Sequence, residues 1–420
     1  MDEVALLCMA LAVLAYAAFS ERVRQAPLSS AMVFVAVGFV LGTEGLDRLS
    51  GNVTTTGLEA ITNATLVLVL FGDASQIDVP ALRRDVAVPV RLLAIGLPLT
   101  LALGLLAGLV VLPELLAVEA LLIAIILAPT DAALGQAVVI DARLPSRLRQ
   151  GLNVESGLND GICVPLLAVA LAMADVETGE ETSRVLRSLV EEIGWGVVAG
   201  VVGGVVTTLV LRGARRWGGV ARIWRPLVAA AGAGLAYALA LILGGSGFIA
   251  AFVAGLVFRI TYQSDVEREV ELVEEGSSLL AAITFMLFGA IVLGPALDGL
   301  SWTVVVYAAL SLTVVRMVPV AISMIGSRID RPSVLLMGWF GPRGLASIVF
   351  GLITIESVEL PHAHLVTQVV ALTVLASVML HGVSAVPLVN RFVRAQGSAE
   401  VAGAPGAPED DGGARDTTRP

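Results

Sequence analysis

The sequence predicts an all-α polytopic membrane protein of about thirteen transmembrane helices, and three observations carry that expectation. Of the 420 residues, 57% are hydrophobic and only 15% charged, with a mean hydropathy of +0.89, well beyond the apolar share of ordinary soluble domains. Apolar runs of about 20 residues, the length that crosses the ~30 Å hydrocarbon layer, recur along nearly the whole chain. Between them, joints that carry arginine alternate with joints that carry none.

In chain order the expected spans are residues 3–20, 28–46, 58–77, 86–111, 115–140, 150–174, 188–211, 226–244, 246–261, 277–296, 301–325, 333–355 and 364–389. Acids precede the first span and arginines follow it, the reverse of a secretory leader's charged start, so it reads as a span with its N-terminus outside. The joints "ERVRQAP", "DVPALRRD", "DARLPSRLRQ", "RGARRWGGVARIWRP", "GSRIDRP" and "NRFVRAQG" bear arginine; "PELLAVE", "ADVETGEE", "GGSG", "LGPALDG" and "IESVELPHAH" do not. Arginine in short joints favours the cytoplasm, which gives an odd number of spans and a cytoplasmic C-terminus. One joint on the cytoplasmic side, "DVEREVELVEEG" at 265–276, is acidic, but acids weigh little in this rule. Residues 1–394 are thus expected to form one membrane domain. Residues 395–420, rich in Gly, Ala, Pro and Asp, are expected to be a disordered cytoplasmic tail.

Composition narrows the chemistry. All 26 basic residues are arginine, which rules out Schiff-base lysine chemistry. Cys8 and Cys163 sit in apolar segments without metal-ligand spacing, so neither a disulfide frame nor a zinc site is expected. The net charge of −10 lies mainly in joints and tail and so says little about partners; no nucleic-acid partner is expected. An intramembrane enzyme would need an aspartyl pair from Asp131 and Asp160 or a Ser156 nucleophile, and no GxGD or GxSxG pattern supports either. No enzymatic activity and no cofactor are expected.

Two spans carry helix breakers near their middles: Pro129 and Gly135 in the fifth, Gly341, Pro342 and Gly344 in the twelfth. Backbone freed in lipid survives only where protein or water satisfies it. The separation of seven spans is what an inverted repeat of six, joined by a linking helix, requires. Asp131 follows one break and Arg343 lies in the other; they can neutralise the exposed helix poles. Thr130 adds a hydroxyl and a spare carbonyl, oxygen ligands suited to alkali cations.

In the sixth span, Ser156 and Asp160 share one helical face, and Glu155 and Asn159 the neighbouring one. A carboxylate at the depth of Asp160 costs ~2.5–3.5 kcal/mol unless it is protonated, paired or solvated. Glu155 and Arg343 are natural partners for a buried ion pair, which leaves Asp160 uncommitted. Of the remaining polar residues, Arg91 reads as snorkelling to the cytoplasmic face, and Arg316 as structural, on a helix end or an acid. His381 is either a packed, hydrogen-bonded histidine or a pH sensor.

The segments "LFGDASQIDVPALRR" (70–84), "APTDAALG" (128–135), "ESGLNDG" (155–161), "GFIAAFVAGLVF" (247–258) and "GPRGLASI" (341–348) resemble signature segments of monovalent cation/proton antiporters of the NhaP/NHE branch. The resemblance covers nearly the whole membrane region. It implies a core domain, a dimerisation domain and a homodimer in the cell membrane. It also implies exchange of sodium or another alkali cation for protons by alternating access, with a potassium/proton antiporter or a cation channel of the same architecture as alternatives. Carried onto this chain, it makes Asp160 the shared ion and proton site, Ser156, Thr130 and Asp73 further ligands, and Glu155 with Arg343 a structural pair, with Asp131 in support. Asn159 implies the Asn-Asp type and electroneutral, one-for-one exchange. Asp73 stands where the pattern has glutamate, so its reach to the ion is expected to pass through water.

Overall fold

The computed structural model describes residues 3–25, 28–42, 55–77, 87–131, 134, 136–139, 141–177, 182–217, 220–262, 266–327 and 329–403. Among these residues all regular structure is helical. The α-helices are α1 (Glu3–Gln25), α2 (Ser30–Leu41), α3 (Thr55–Gln76), α4 (Ala87–Arg91), α5 (Leu97–Val111), α6 (Ala117–Ile126), α7 (Gln136–Val139), α8 (Ser146–Glu177) and α9 (Thr182–Trp217). They continue as α10 (Arg225–Leu243), α11 (Gly247–Thr261), α12 (Val266–Leu287), α13 (Gly294–Leu297), α14 (Trp302–Leu312), α15 (Val314–Ser323), α16 (Arg331–Trp339), α17 (Leu345–Ser357) and α18 (Ala363–Gly403). Nine helical stretches among the described residues are long and apolar enough to cross a membrane, and α2, α6, α11 and α17 are shorter apolar helices. The chain is a multi-pass membrane protein.

Helix ends follow local chemistry. Asp330 caps α16 by accepting from Ser333 N–H at 3.2 Å, and Ser301 and Ser246 cap α14 and α11, each satisfying a backbone donor that has no partner within the helix. Proline begins α10 and α16, where its missing N–H costs nothing. Two π-helical stretches, Leu92–Gly96 and Phe288–Leu293, interrupt helices that the sequence led us to expect as regular. The eleventh span is also divided, at Thr313.

The packing places α8 at a seam. On one side it meets α6, which packs in turn on α5; on the other it meets α3, α9 and α11, a group packed closely together. On the second side Gly196, Gly200 and Gly204 of α9 lie directly against the backbone of α11, the close approach that small residues allow between membrane helices.

Three expectations change. The acidic stretch expected as a joint is helical from Val266 onward, because Glu269 turns inward, where its Oε1 accepts from Tyr262 OH at 3.1 Å. Arg91 does more than snorkel: its Nη1 donates to the carbonyls of Ser323 and Ile325, at 3.2 and 2.6 Å, at the end of α15. Helix α18 runs on to Gly403, past the expected start of the tail, and residues 404–420 lie outside the described residues.

Candidate functional site

The breaks fall where proline and glycine stand. Helix α6 stops at Ile126 and α7 resumes at Gln136; α16 stops at Trp339 and α17 resumes at Leu345. Ala132, Ala133 and Gly135 lie outside the described residues. The interruptions meet, since Asp131 N–H donates to the Pro342 carbonyl at 2.8 Å.

Each break is completed by a charge from the other. The C-terminal carbonyls of a helix carry partial negative charge and its N-terminal amides partial positive charge. Arg343 Nη1 donates to the carbonyls of Ala128 and Pro129, just past α6, at 2.9 and 3.2 Å. Asp131 Oδ2 accepts from Leu345 N–H, the first of α17, at 3.0 Å, and Oδ1 from Leu134 N–H at 3.3 Å. Glycine is needed for this approach: a Cβ on Gly344 would overlap the Asp131 carboxylate, and one on Gly341 the Arg316 guanidinium. Helix α18 holds the second break in place. Ser377 Oγ accepts from Arg343 N–H at 2.6 Å, and His381 Nε2 donates to the Trp339 carbonyl at 2.9 Å. His381 Nδ1 lies 3.1 Å from Ser377 Oγ and 2.9 Å from the Ser377 carbonyl, so both ring nitrogens are engaged inside the bundle.

Helix α8 passes beside the first break. Asn159 Nδ2 donates to Thr130 Oγ1 at 2.7 Å, and Thr130 Oγ1 is 3.0 Å from Ser156 Oγ. Thr130, Ser156 and Asn159 are buried, and Asp160 is only 5% exposed. Asn159 Oδ1 and Asp160 Oδ1 have no hydrogen-bond partner among the described residues. Buried oxygens are nearly always satisfied, and two acceptors left open beside two hydroxyls form the donor set that a hard, weakly charged cation takes. No cluster of three or more His, Cys, Asp or Glu side chains suited to a metal ion occurs among the described residues.

Asp73, on α3, faces the same stretch of α8. A Cβ on Gly157 would lie 3.6 Å from both its Cβ and its carbonyl oxygen. A cavity of about 30 Å³, lined by Asp73, Gln76, Asn153 and Gly157 among others, lies toward the start of α8 and has room for water between polar partners. Toward the other end of α8, a cavity of about 530 Å³ is lined by Val164, Asp175, Arg184, Glu192 and Ser246 among others. Asp160 lies between the two, about 4.5 Å along the helix from Gly157 and about 6 Å from Val164.

The expected pair of Glu155 and Arg343 is not what the structure contains. Glu155 is held by Arg316, Nη1 to Oε1 at 2.5 Å and Nη2 to Oε2 at 2.8 Å, with both side chains buried. This two-pronged geometry matches a guanidinium to a carboxylate. Arg343 is instead committed to the carbonyls at the other break. Ser377 was not anticipated, and neither was Glu119. The latter is fully buried near the start of α6, where it accepts from Leu116 N–H at 2.9 Å and His362 N–H at 2.8 Å and meets His362 Nδ1 at 2.8 Å. An acid in the first turn of a helix was the available signal for Glu119; for Ser377 the sequence offered none.

Residues 9–391 match the family described as sodium/hydrogen exchanger, transmembrane. The chain belongs to this family. Among curated relatives of this exchanger-family chain, a Schizosaccharomyces pombe protein named "Probable Na(+)/H(+) antiporter" is 27% identical over 313 residues, covering 65% of this chain and 40% of the relative. The K(+)/H(+) antiporter NhaP2 of Shewanella oneidensis is 25% identical over 363 residues, covering 84% of this chain and 61% of the relative. The exchanger-family chain therefore spans less than two thirds of these relatives. Its fold is that of the sodium proton antiporter MjNhaP1 from Methanocaldococcus jannaschii, with a TM-score of 0.75 at 21% identity, covering 90% of this chain and 97% of the other.

Proposed function

We propose that the protein is a secondary active transporter that exchanges sodium or another alkali cation for protons, with Asp160 as the seat shared by both. One observation carries this reading: the open acceptor oxygens of Asp160 and Asn159, buried beside the hydroxyls of Thr130 and Ser156. A cation would satisfy them; so would a proton on Asp160. Competition for one carboxylate then couples the two fluxes. Thr130 and Ser156 supply neutral oxygens, and Asp73 acts from beside Gly157 through water. Glu155, Arg316, Asp131 and Arg343 are the supporting frame, and Asn159 orients Thr130.

Access alternates as the group containing α6 and α8 shifts against the group containing α3, α9 and α11. The cavities toward the two ends of α8 support this, because each brings a polar space near Asp160 from a different direction. In the full reading, thirteen spans form two inverted six-helix repeats with the two broken helices crossed. The N-terminus lies outside and the C-terminus in the cytoplasm, residues 1–394 form the membrane domain, and two copies pair in the cell membrane. One monovalent charge exchanged for another moves no net charge, so voltage does not drive the exchange. Relatives named for sodium and for potassium both support an alkali cation.

The test is cation-dependent proton flux in proteoliposomes, scanned over lithium, sodium and potassium, for wild type and Asp160→Asn. Exchange is expected in the wild type and lost in the variant. Sodium flux without proton counterflow would establish a channel instead, and flux that follows an imposed potential would rule out one-for-one exchange.

A further inference from the structure

The transport reading leaves one concave surface unused. Beside the second break, α15, α16 and α18 enclose a groove of about 1240 Å³, and Leu335, Leu336, Trp339 and Leu388 give it an apolar wall. Leu335 is 61% exposed. From Ser384 to Ala395 the groove follows α18 for about 16 Å of helix rise, roughly half the ~30 Å hydrocarbon layer and so the depth of one leaflet.

Its charges are unequal in what they leave available. Asp330 is spent on Ser333, accepting from N–H at 3.2 Å and from Oγ at 2.7 Å. Arg391 is exposed, and no hydrogen bond or carboxylate partner engages it among the described residues. An apolar trough of leaflet depth with an uncommitted guanidinium at the end where α16 begins has the shape and charge of a phospholipid with an anionic headgroup. A polar solute of that volume would leave its own groups unsatisfied against Leu335 and Leu388.

We propose that this groove seats one anionic phospholipid, its phosphate on Arg391 and an acyl chain along Leu335, Leu388 and Trp339. The occupant would bear on the transport frame. Trp339 is the last residue of α16 before the break; its Nε1 donates to Ser384 Oγ at 2.9 Å, and its carbonyl accepts from His381. A lipid filling the groove stiffens the half-helix that positions Arg343. The proposal rests on the membrane-embedded fold and not on the exchange chemistry.

The test places a photoreactive residue at position 388 in the full chain, reconstituted in vesicles of phosphatidylcholine mixed with phosphatidylglycerol, and identifies the adducts by mass spectrometry. Phosphatidylglycerol adducts are expected in excess of its share of the bilayer, and Arg391→Gln should lower that excess about fivefold, the scale of one arginine facing an anionic headgroup. Adducts in proportion to bulk composition, an excess unchanged in Arg391→Gln, or adducts to residues 404–420 or to a second copy would each overturn the proposal. Because this readout needs no transport, its failure is separate from failure of the exchange reading.

Discussion

Glu155 and Asp160 lie five positions apart on α8, both are buried, and they are handled in opposite ways. Glu155 has both oxygens taken by Arg316; Asp160 keeps Oδ1 open. A carboxylate with both oxygens held by a guanidinium has none left over for a passing cation. One helix thus carries a carboxylate spent on an arginine from another helix and, five residues on, a buried one whose Oδ1 is left open, the one we propose as the ion seat.

The sharpest way to break this comparison is to neutralise each acid. Asp160→Asn should abolish cation/proton exchange in proteoliposomes, while its thermal unfolding in detergent stays at or above that of wild type, because no ion pair is lost. Exchange at wild-type rates, or a large loss of stability, would erase the distinction. Arg316→Ala should act on the other side. Removing one partner of a buried pair leaves an uncompensated charge and costs ~3–5 kcal/mol, read as a lowered unfolding midpoint and poor monodisperse yield. Replacing Glu155 and Arg316 together by leucine and methionine should restore most of that stability, since apolar substitutes for a complete buried pair are often tolerated.

A smaller effect sharpens the site itself. Ser156→Ala removes one neutral oxygen beside Thr130 and leaves Asp160 in place. The half-saturating cation concentration should rise about tenfold, or ~1.4 kcal/mol, the scale of a single polar contact, with maximal exchange largely kept. An unchanged cation dependence would remove Ser156 from the ligand set.

The sequence made some of this legible and hid the rest for physical reasons. Pro129 and the Gly341-Pro342 pair announce breaks because they act on the backbone locally, and an acid midway through an apolar run announces Asp160 by its cost. Helical spacing also groups Ser156 with Asp160. Spacing says nothing about how one helix is rotated against another, however, and that rotation decides which arginine reaches Glu155. In sequence Arg343 reads as the natural partner of Glu155 and Arg316 only as an arginine on a helix end or an acid; the fold reverses this because Arg343 has the free carbonyls of Ala128 and Pro129 within reach. The grip of Ser377 on Arg343 N–H depends on the same interhelical fit, so no local pattern marks it; the π-helical stretches at Leu92–Gly96 and Phe288–Leu293 do have a local mark, since each ends two residues before a proline, Pro98 and Pro295, which disturbs the preceding turn.

The weakest expected effect comes from the same chemistry placed outside the membrane. In the turn before α8, Arg143 Nε lies 3.0 Å from Asp141 Oδ1 and Nη2 2.6 Å from Oδ2, as two-pronged as the Glu155–Arg316 pair but in water. The hydrogen bond from Arg143 holds the Asp141 carboxyl below the usual carboxylate range, against an opposing effect of burial. A depressed pKa in the folded state contributes stability above the unfolded value of ~3.9, and that contribution disappears as the pH falls through the folded value. The midpoint of Asp141→Asn should therefore sit slightly below wild type at neutral pH, by far less than that of Arg316→Ala, because water screens exposed pairs. Below about pH 4 the two midpoints should converge, and high salt at neutral pH should narrow the gap as well. A gap as large as that of Arg316→Ala, insensitive to salt, would mean that burial does not separate the two pairs.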